Sequence, residues 1–175
     1  MDDHAYFDPE RRYLPENGKS WIFGGRVVYG FRTHELSLNY TRITAQGQYI
    51  MPREWGRDPF FTFLSRERNE GLADVHAMVL KYKFSPKKHK LKTTLAYGHY
   101  QLPDVKEFEK NKYGLPSYFQ LMADVRYEFE GPFKGFDAQI LYVYKGNLGE
   151  TYDNYKYVIN KVNMSQYNFV INYHF

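Results

Sequence analysis

The chain contains no cysteine, which removes disulfides, thiolate metal sites and cysteine nucleophiles together. It has no continuous apolar run of the ~18 to 20 residues that a membrane helix needs. It also has no long block of lysine and arginine: the formal charge of +4 is spread among interspersed acids, a pattern that argues against a nucleic-acid partner. The six histidines stand at positions 4, 34, 76, 89, 99 and 174, never at i, i+2 or i, i+4 spacing, so no metal site is expected and nothing calls for a cofactor. G-x-S-x-G, the P-loop and G-x-G-x-x-G are all absent, which leaves no enzyme class indicated. The opening MDDHAYFDPERRYLPENGKS has no basic-then-apolar signal region with a small-residue cleavage site.

Rings are abundant instead. The 175 residues include Tyr 18 and Phe 14, yet 25% are charged and the mean hydropathy is negative. Apolar character is therefore distributed by alternation, and the length suits a single domain over 1–175. The last twelve residues, MSQYNFVINYHF, show the pattern at its most regular. In an extended strand Tyr167, Phe169, Ile171, Tyr173 and Phe175 share one face, while the other face is nearly all polar.

Alternation and turn residues predict about seven strands. The first covers 20–31, with Trp21, Phe23, Val27, Tyr29 and Phe31 opposite Arg26. The second covers 35–43, with Leu36, Leu38 and Tyr40 opposite Glu35, Ser37, Asn39 and Thr41. DVHAMVLKYKF sets Met78, Leu80, Tyr82 and Phe84 against Lys81 and Lys83, and KLKTTLAYGHYQL follows it. SYFQLMADVRYEFE and FDAQILYVYK precede the closing strand. Connections alternate between short (32–34, 85–90, 131–135) and long (44–71, 103–117, 146–163), so every long loop falls at one end. A short-turn end and a long-loop end are what an up-and-down antiparallel outer-membrane barrel shows, and rings near strand ends suit its two aromatic girdles. The fold expected is all-β: an antiparallel, up-and-down transmembrane barrel segment with rings toward lipid and charges lining a wet interior.

The segment YIMPREWGRDPFFTFLSRERNEG (49–71) is the least strand-like part and the densest in charge. Arg53, Arg57, Arg66 and Arg68 sit among Glu54, Asp58, Glu67 and Glu70, with Trp55, Phe60, Phe61 and Phe63 as anchors. A loop of this length and aromatic content is expected either to fold into a barrel mouth, where guanidinium groups attract carboxylates, or to lie exposed with its charges paired.

The run PREWGRDPFFTFLSRERNEG, the later LPDV and KYGLPSY, and the ending NYHF resemble the OprD-like family of outer-membrane porins, particularly its Bacteroidota-type members. The resemblance spans this chain but covers only the C-terminal part of such a protein. It implies a barrel of about eighteen strands, set among outer-membrane lipid and passing small, often carboxylate-bearing solutes through a constriction of inward loops and basic lumen residues. On that reading 44–71 is a constriction loop carrying Arg53, Arg57, Arg66 and Arg68. Arg26, Lys81, Lys83, Lys92 and Arg126 become lumen contributors. Tyr167, Phe169, Ile171, Tyr173 and Phe175 resemble the C-terminal signal read by the barrel-assembly machinery.

Seven strands leave two unpaired edges that hydrocarbon does not tolerate. The chain is accordingly expected to be a truncated product that does not conduct by itself. Two other readings stay open at this stage: a soluble antiparallel β-sheet module that stacks ligands on its rings, and an outer-membrane barrel enzyme with Ser, His and an acid at its rim.

Overall fold

The computed structural model describes residues 19–51, 58–86 and 90–174. Seven strands form one sheet in sequence order, each antiparallel to the next. They are β1 (Ile22–Phe31), β2 (His34–Ile43), β3 (Val75–Phe84), β4 (Leu91–Gln101), β5 (Tyr118–Glu128), β6 (Phe136–Asn147) and β7 (Met164–Tyr173). All of the expected strands are present, with ends shifted by a residue or two. Among the described residues the sheet is open, because β1 and β7 each pair on one side only.

Local chemistry sets the short connections. The β1–β2 hairpin turns on Arg32 and Thr33, with Arg32 at φ 53°, the positive value that a two-residue hairpin places at its first turn position. The β5–β6 turn passes through a short 3-10 segment, Gly131–Phe133, and closes at Gly135. Gly135 has φ 99°, and a Cβ there would lie 2.8 Å from the His174 carbonyl oxygen. That turn therefore needs glycine on two counts.

The two faces of the sheet differ sharply. One is open: Met78 is 50% exposed, Leu80 47%, and Phe169 and Ile171 74% each. Leu36, Leu38, Leu95, Tyr97, Leu121 and Ile140 belong to the same open face. The other face is covered near the loop end, where Val79 is 0% exposed. There Ile43, Val75, Ala77, Val79, Tyr100 and Tyr118 pack with Leu64, Leu72 and Val162 from the loops. The alternation expected from the sequence is thus realised, with its apolar side turned outward.

One expectation requires correction. A charged, wet wall was expected along the whole polar face, but the half nearest the long loops is dry. Its inward positions are largely Val, Ala, Ile and Tyr, interrupted by hydrogen-bonded Ser37, Asn39 and Thr41. The physical reason is the loop lying over it, which replaces water with side chains.

Candidate functional site

The three long connections, 44–74, 102–117 and 148–163, fuse into one cap at the loop end. The first is clasped at its base by reciprocal backbone bonds, Tyr49 N to Leu72 O and Gly71 N to Tyr49 O, both 2.8 Å. It joins the second through Ala73 N to Lys110 O at 2.7 Å and Lys112 N to Gly71 O at 3.0 Å. The second joins the third through Leu148 N and Gly149 N, which both donate to Ser117 O.

Residues 58–70 of the first connection cross the covered face as an arm. The Thr62 hydroxyl bonds the Thr41 hydroxyl of β2 at 2.9 Å. Gln120 Nε2 of β5 donates to Ser65 O at 2.6 Å. The Tyr100 hydroxyl of β4 lies 3.0 Å from Thr62 O and 3.2 Å from Glu67 Oε2, so its proton serves either acceptor. Gly98 makes room for this residue: a Cβ there would lie 2.5 Å from the Tyr100 ring, which stacks on Tyr118 at 4.6 Å. Leu64, buried beneath the arm, supplies the apolar anchor, a contribution of about 1.5 to 3 kcal/mol.

Along the arm, burial alternates at the charged stretch: Arg66 and Arg68 are exposed while Glu67 and Asn69 are buried. Glu67 Oε2 accepts from Leu64 N at 2.7 Å and Oε1 from Asn69 Nδ2 at 2.8 Å. Burial pushes the Glu67 carboxyl up to about 7, outweighing the hydrogen bonds from Asn69, Leu64 N and Tyr100 that favour its charged form. Asp58 nearby adds to the upward push. Arg66 takes φ 72°, a strained position for a side chain of this size. The bonds at Thr62, Ser65 and Glu67 hold it there.

Beside the arm lies a cavity of about 570 Å³. Arg66, Arg68, Lys145 and Lys161 supply cations to its wall, Glu67 a carboxyl, and Leu72, Leu115 and Ile159 an apolar side. Two of the cations are engaged. Arg68 meets Glu70 at 3.3 Å and lies 3.8 Å over the Tyr113 ring, and Lys161 Nζ donates to the carbonyls of Gly114 and Lys156. Glu70 in turn accepts from the Tyr113 hydroxyl at 2.7 Å. Lys145, the inward-facing cation of β6, is 4% exposed and rests 4.0 Å over the Tyr118 ring.

The other predicted residues lie elsewhere. Arg26 and Lys83 share Glu35 at 2.8 and 3.1 Å, Lys92 meets Glu128 at 2.6 Å, and Arg126 meets Asp124 at 3.3 Å. Lys83, Lys92 and Arg126 occupy the turn-end half of the covered face, and Arg26, level with Asn39 in the register, reaches from mid-strand to Glu35 there; His174 and Asp137 share a hydrogen bond of 2.7 Å in the same band. Lys81 stands between the halves, opposite Ser37 and Ala96 in the register. The structure therefore brings Arg66 and Arg68 together and separates them from Arg26, Lys83, Lys92 and Arg126. Arg53, Arg57 and the anchor Trp55 lie outside the described residues.

Tyr167, Phe169, Ile171 and Tyr173 share the open face of β7 and are all exposed; Phe175 lies outside the described residues. Sequence reasoning named Glu67 only as a neighbour of the arginines and placed Lys145 and Gln120 only on polar strand faces; it did not single out these, Lys161 or Tyr100 for the site. Lys145 carried a signal, as a cation on a polar strand face next to a long loop. Lys161 carried none. Among the described residues no group of His, Asp or Glu is placed to hold a metal ion. No family model matches the chain, and no curated protein matches it.

Proposed function

We propose that this chain is wall and constriction of an outer-membrane porin of the OprD-like kind, passing small anionic, carboxylate-bearing solutes. The observation that carries the reading is the pairing of an exposed apolar sheet face with a charged arm folded across the opposite face. A soluble sheet of this size would cover such a face, since contiguous apolar surface in water invites association. Acyl chains of outer-membrane lipid are the cover that fits it. Among the described residues no helix is long and apolar enough to cross a membrane, so strands would make any crossing.

The polar atoms of the open face support the same arrangement. The Tyr40 hydroxyl meets His76 Nδ1 near the loop end, and the Tyr82 hydroxyl meets His34 Nδ1 near the turn end, both at 2.7 Å. Leu36, Leu38, Met78 and Leu80 lie between them. Rings with a polar tip at two levels and aliphatics between suit two lipid–water boundaries. The two free edges of the sheet call for further strands of the same pattern to close the wall. The assembly machinery would then read the face that Tyr167, Phe169, Ile171 and Tyr173 form with Phe175.

In this reading the arm narrows the mouth and the exposed Arg66 and Arg68, with Arg53 and Arg57 on the same loop, draw anions toward it. The paired cations of the turn half contribute less, because each shares its field with a neighbouring carboxylate. The test is planar-bilayer reversal potential on the closed barrel that contains this sheet, with Arg53, Arg57, Arg66 and Arg68 replaced by Ser together. The expected result is a marked loss of anion preference with conduction retained. Unchanged ion selectivity would remove these arginines from the mechanism.

A further inference from the structure

The open face of the sheet is not evenly filled. It holds an apolar groove of about 400 Å³, lined by residues from β2 to β6. At its floor is Ala123, which stands in one cross-strand row with Tyr82, Leu95 and Tyr142. A methyl group in a row of rings and long aliphatics leaves a dip, and its lining lacks partner atoms on one side. The ring walls of the dip are fixed before anything enters it. The Tyr82 hydroxyl meets His34 Nδ1 at 2.7 Å, Tyr97 stacks on Phe119 at 6.2 Å, and Tyr142 packs on Tyr167 at 4.9 Å. Walls held in this way lower the ordering cost of binding.

The groove has one polar end. On its Tyr82 side lies His34, whose ring rests against Tyr82 and Phe84 and whose Nε2 has no partner among the described residues. Beyond it, at the β1–β2 turn, Arg32 is exposed. Its guanidinium lies 5.0 Å over the ring of Phe31, the residue opposite His34 in the register, and has no ion pair among the described residues. A fixed apolar trough that ends at a guanidinium and an imidazole fits an amphiphile with a phosphate head. A second copy in the same membrane orientation fits less well, because it would bring its own Arg32 to the same level.

We propose that the groove holds one phospholipid of the leaflet at the turn end, with an acyl chain against Ala123 and the phosphate on Arg32 and His34. The inference deepens the porin reading and rests on it, since the open face must meet lipid. It adds one retained molecule where that reading needs lipid only as a solvent. The placement suits the geometry of a membrane wall. Barrel strands tilt by about 35 to 45°, so an acyl chain along the bilayer normal crosses several of them, as the lining from β2 to β6 requires.

The test inserts the full chain into vesicles of phosphatidylglycerol and phosphatidylethanolamine and recovers the inserted chain by flotation. The chain is then exchanged into neutral detergent, and retained lipid is counted by native mass spectrometry. One phospholipid per chain is expected. Ala123→Phe, which fills the groove, should lower retention at least about fivefold, and Arg32→Gln should lower it several-fold. Ala138→Phe makes the same exchange on the open face outside the groove and should retain lipid like the parent. If Ala123→Phe does not insert, Arg32→Gln decides, together with vesicles that also contain diacylglycerol, which lacks the phosphate. No retained lipid, retention unchanged in the Ala123 or Arg32 variant, an equal loss in Ala138→Phe, or diacylglycerol held as firmly as phospholipid overturns the proposal. A lipid-free dimer overturns it as well. A chain that floats with the vesicles and keeps no lipid contradicts this proposal alone, whereas a chain that does not float contradicts the porin reading too.

Discussion

At the loop end of the covered face a carboxyl and an ammonium, Glu67 and Lys145, are buried among rings and aliphatics. At the turn end Lys92 meets Glu128 and Arg126 meets Asp124 with most of their cationic side chains in the open. Both halves belong to the same strands and follow the same alternation. What separates them is the arm, which crosses β2, β4 and β5 at Thr41, Tyr100 and Gln120 and stops short of the turns. A strand pattern decides which side chains point inward; a loop decides which of those stay wet. Charges under the loop act through burial and hydrogen bonds, whereas charges beyond it act as screened surface pairs.

The comparison can be broken most directly by removing the anchor. Leu64→Ala should cost about 3 kcal/mol, through lost transfer energy and the cavity left beneath the arm, read as a lower denaturant midpoint in detergent. Lys92→Gln at the turn end should leave that midpoint unchanged. Equal losses in the two variants would mean that the halves are not held differently.

Acidity sharpens the comparison with a smaller effect. The folded Glu67 carboxyl, at about 7, lies above its ordinary value of 4.5, so its protonated form favours the docked arm. Its contribution is fully present below about pH 4.5 and is lost as pH rises through about 7. The docked arm should therefore weaken by about 2 to 3 kcal/mol between pH 4.5 and pH 8. Hydrogen exchange at the Leu64 amide, which donates to Glu67, measures this when expressed as protection relative to the intrinsic rate at each pH, and lower protection at the higher pH is expected. Glu67→Gln should flatten that dependence, and a parent profile already flat would contradict the assignment.

Much of the fold was legible because strand alternation is a local code. The faces of DVHAMVLKYKF and MSQYNFVINYHF could be read residue by residue, and the long and short connections placed all three loops at one end. The covering of one half was not legible, since it depends on contacts between residues far apart in sequence. Phe60, Phe61 and Phe63 looked like the arm's anchors, yet Leu64 is the fully buried one and Phe61 is exposed. Arg66 and Arg68 could be singled out by charge density. That Glu67 between them would turn inward, onto a tyrosine thirty-three positions away, follows only from the docked arm. Arg26, Lys83, Lys92 and Arg126 look alike by residue type; Asp124 stands two residues from Arg126 on the same strand face, but the carboxylate partners of the other three emerge only from the strand register.

The orientation of the two faces toward lipid is the claim on which the porin reading depends. Single tryptophans placed at Leu80 or Leu95 on the open face, and at Val79 or Ala96 on the covered one, can be compared in vesicles of brominated-chain lipid after Trp21 and Trp55 are both replaced by Phe. The account predicts strong quenching at positions 80 and 95 and little at 79 and 96. Equal quenching at all four positions, or a chain that stays folded in buffer and ignores the vesicles, would contradict it.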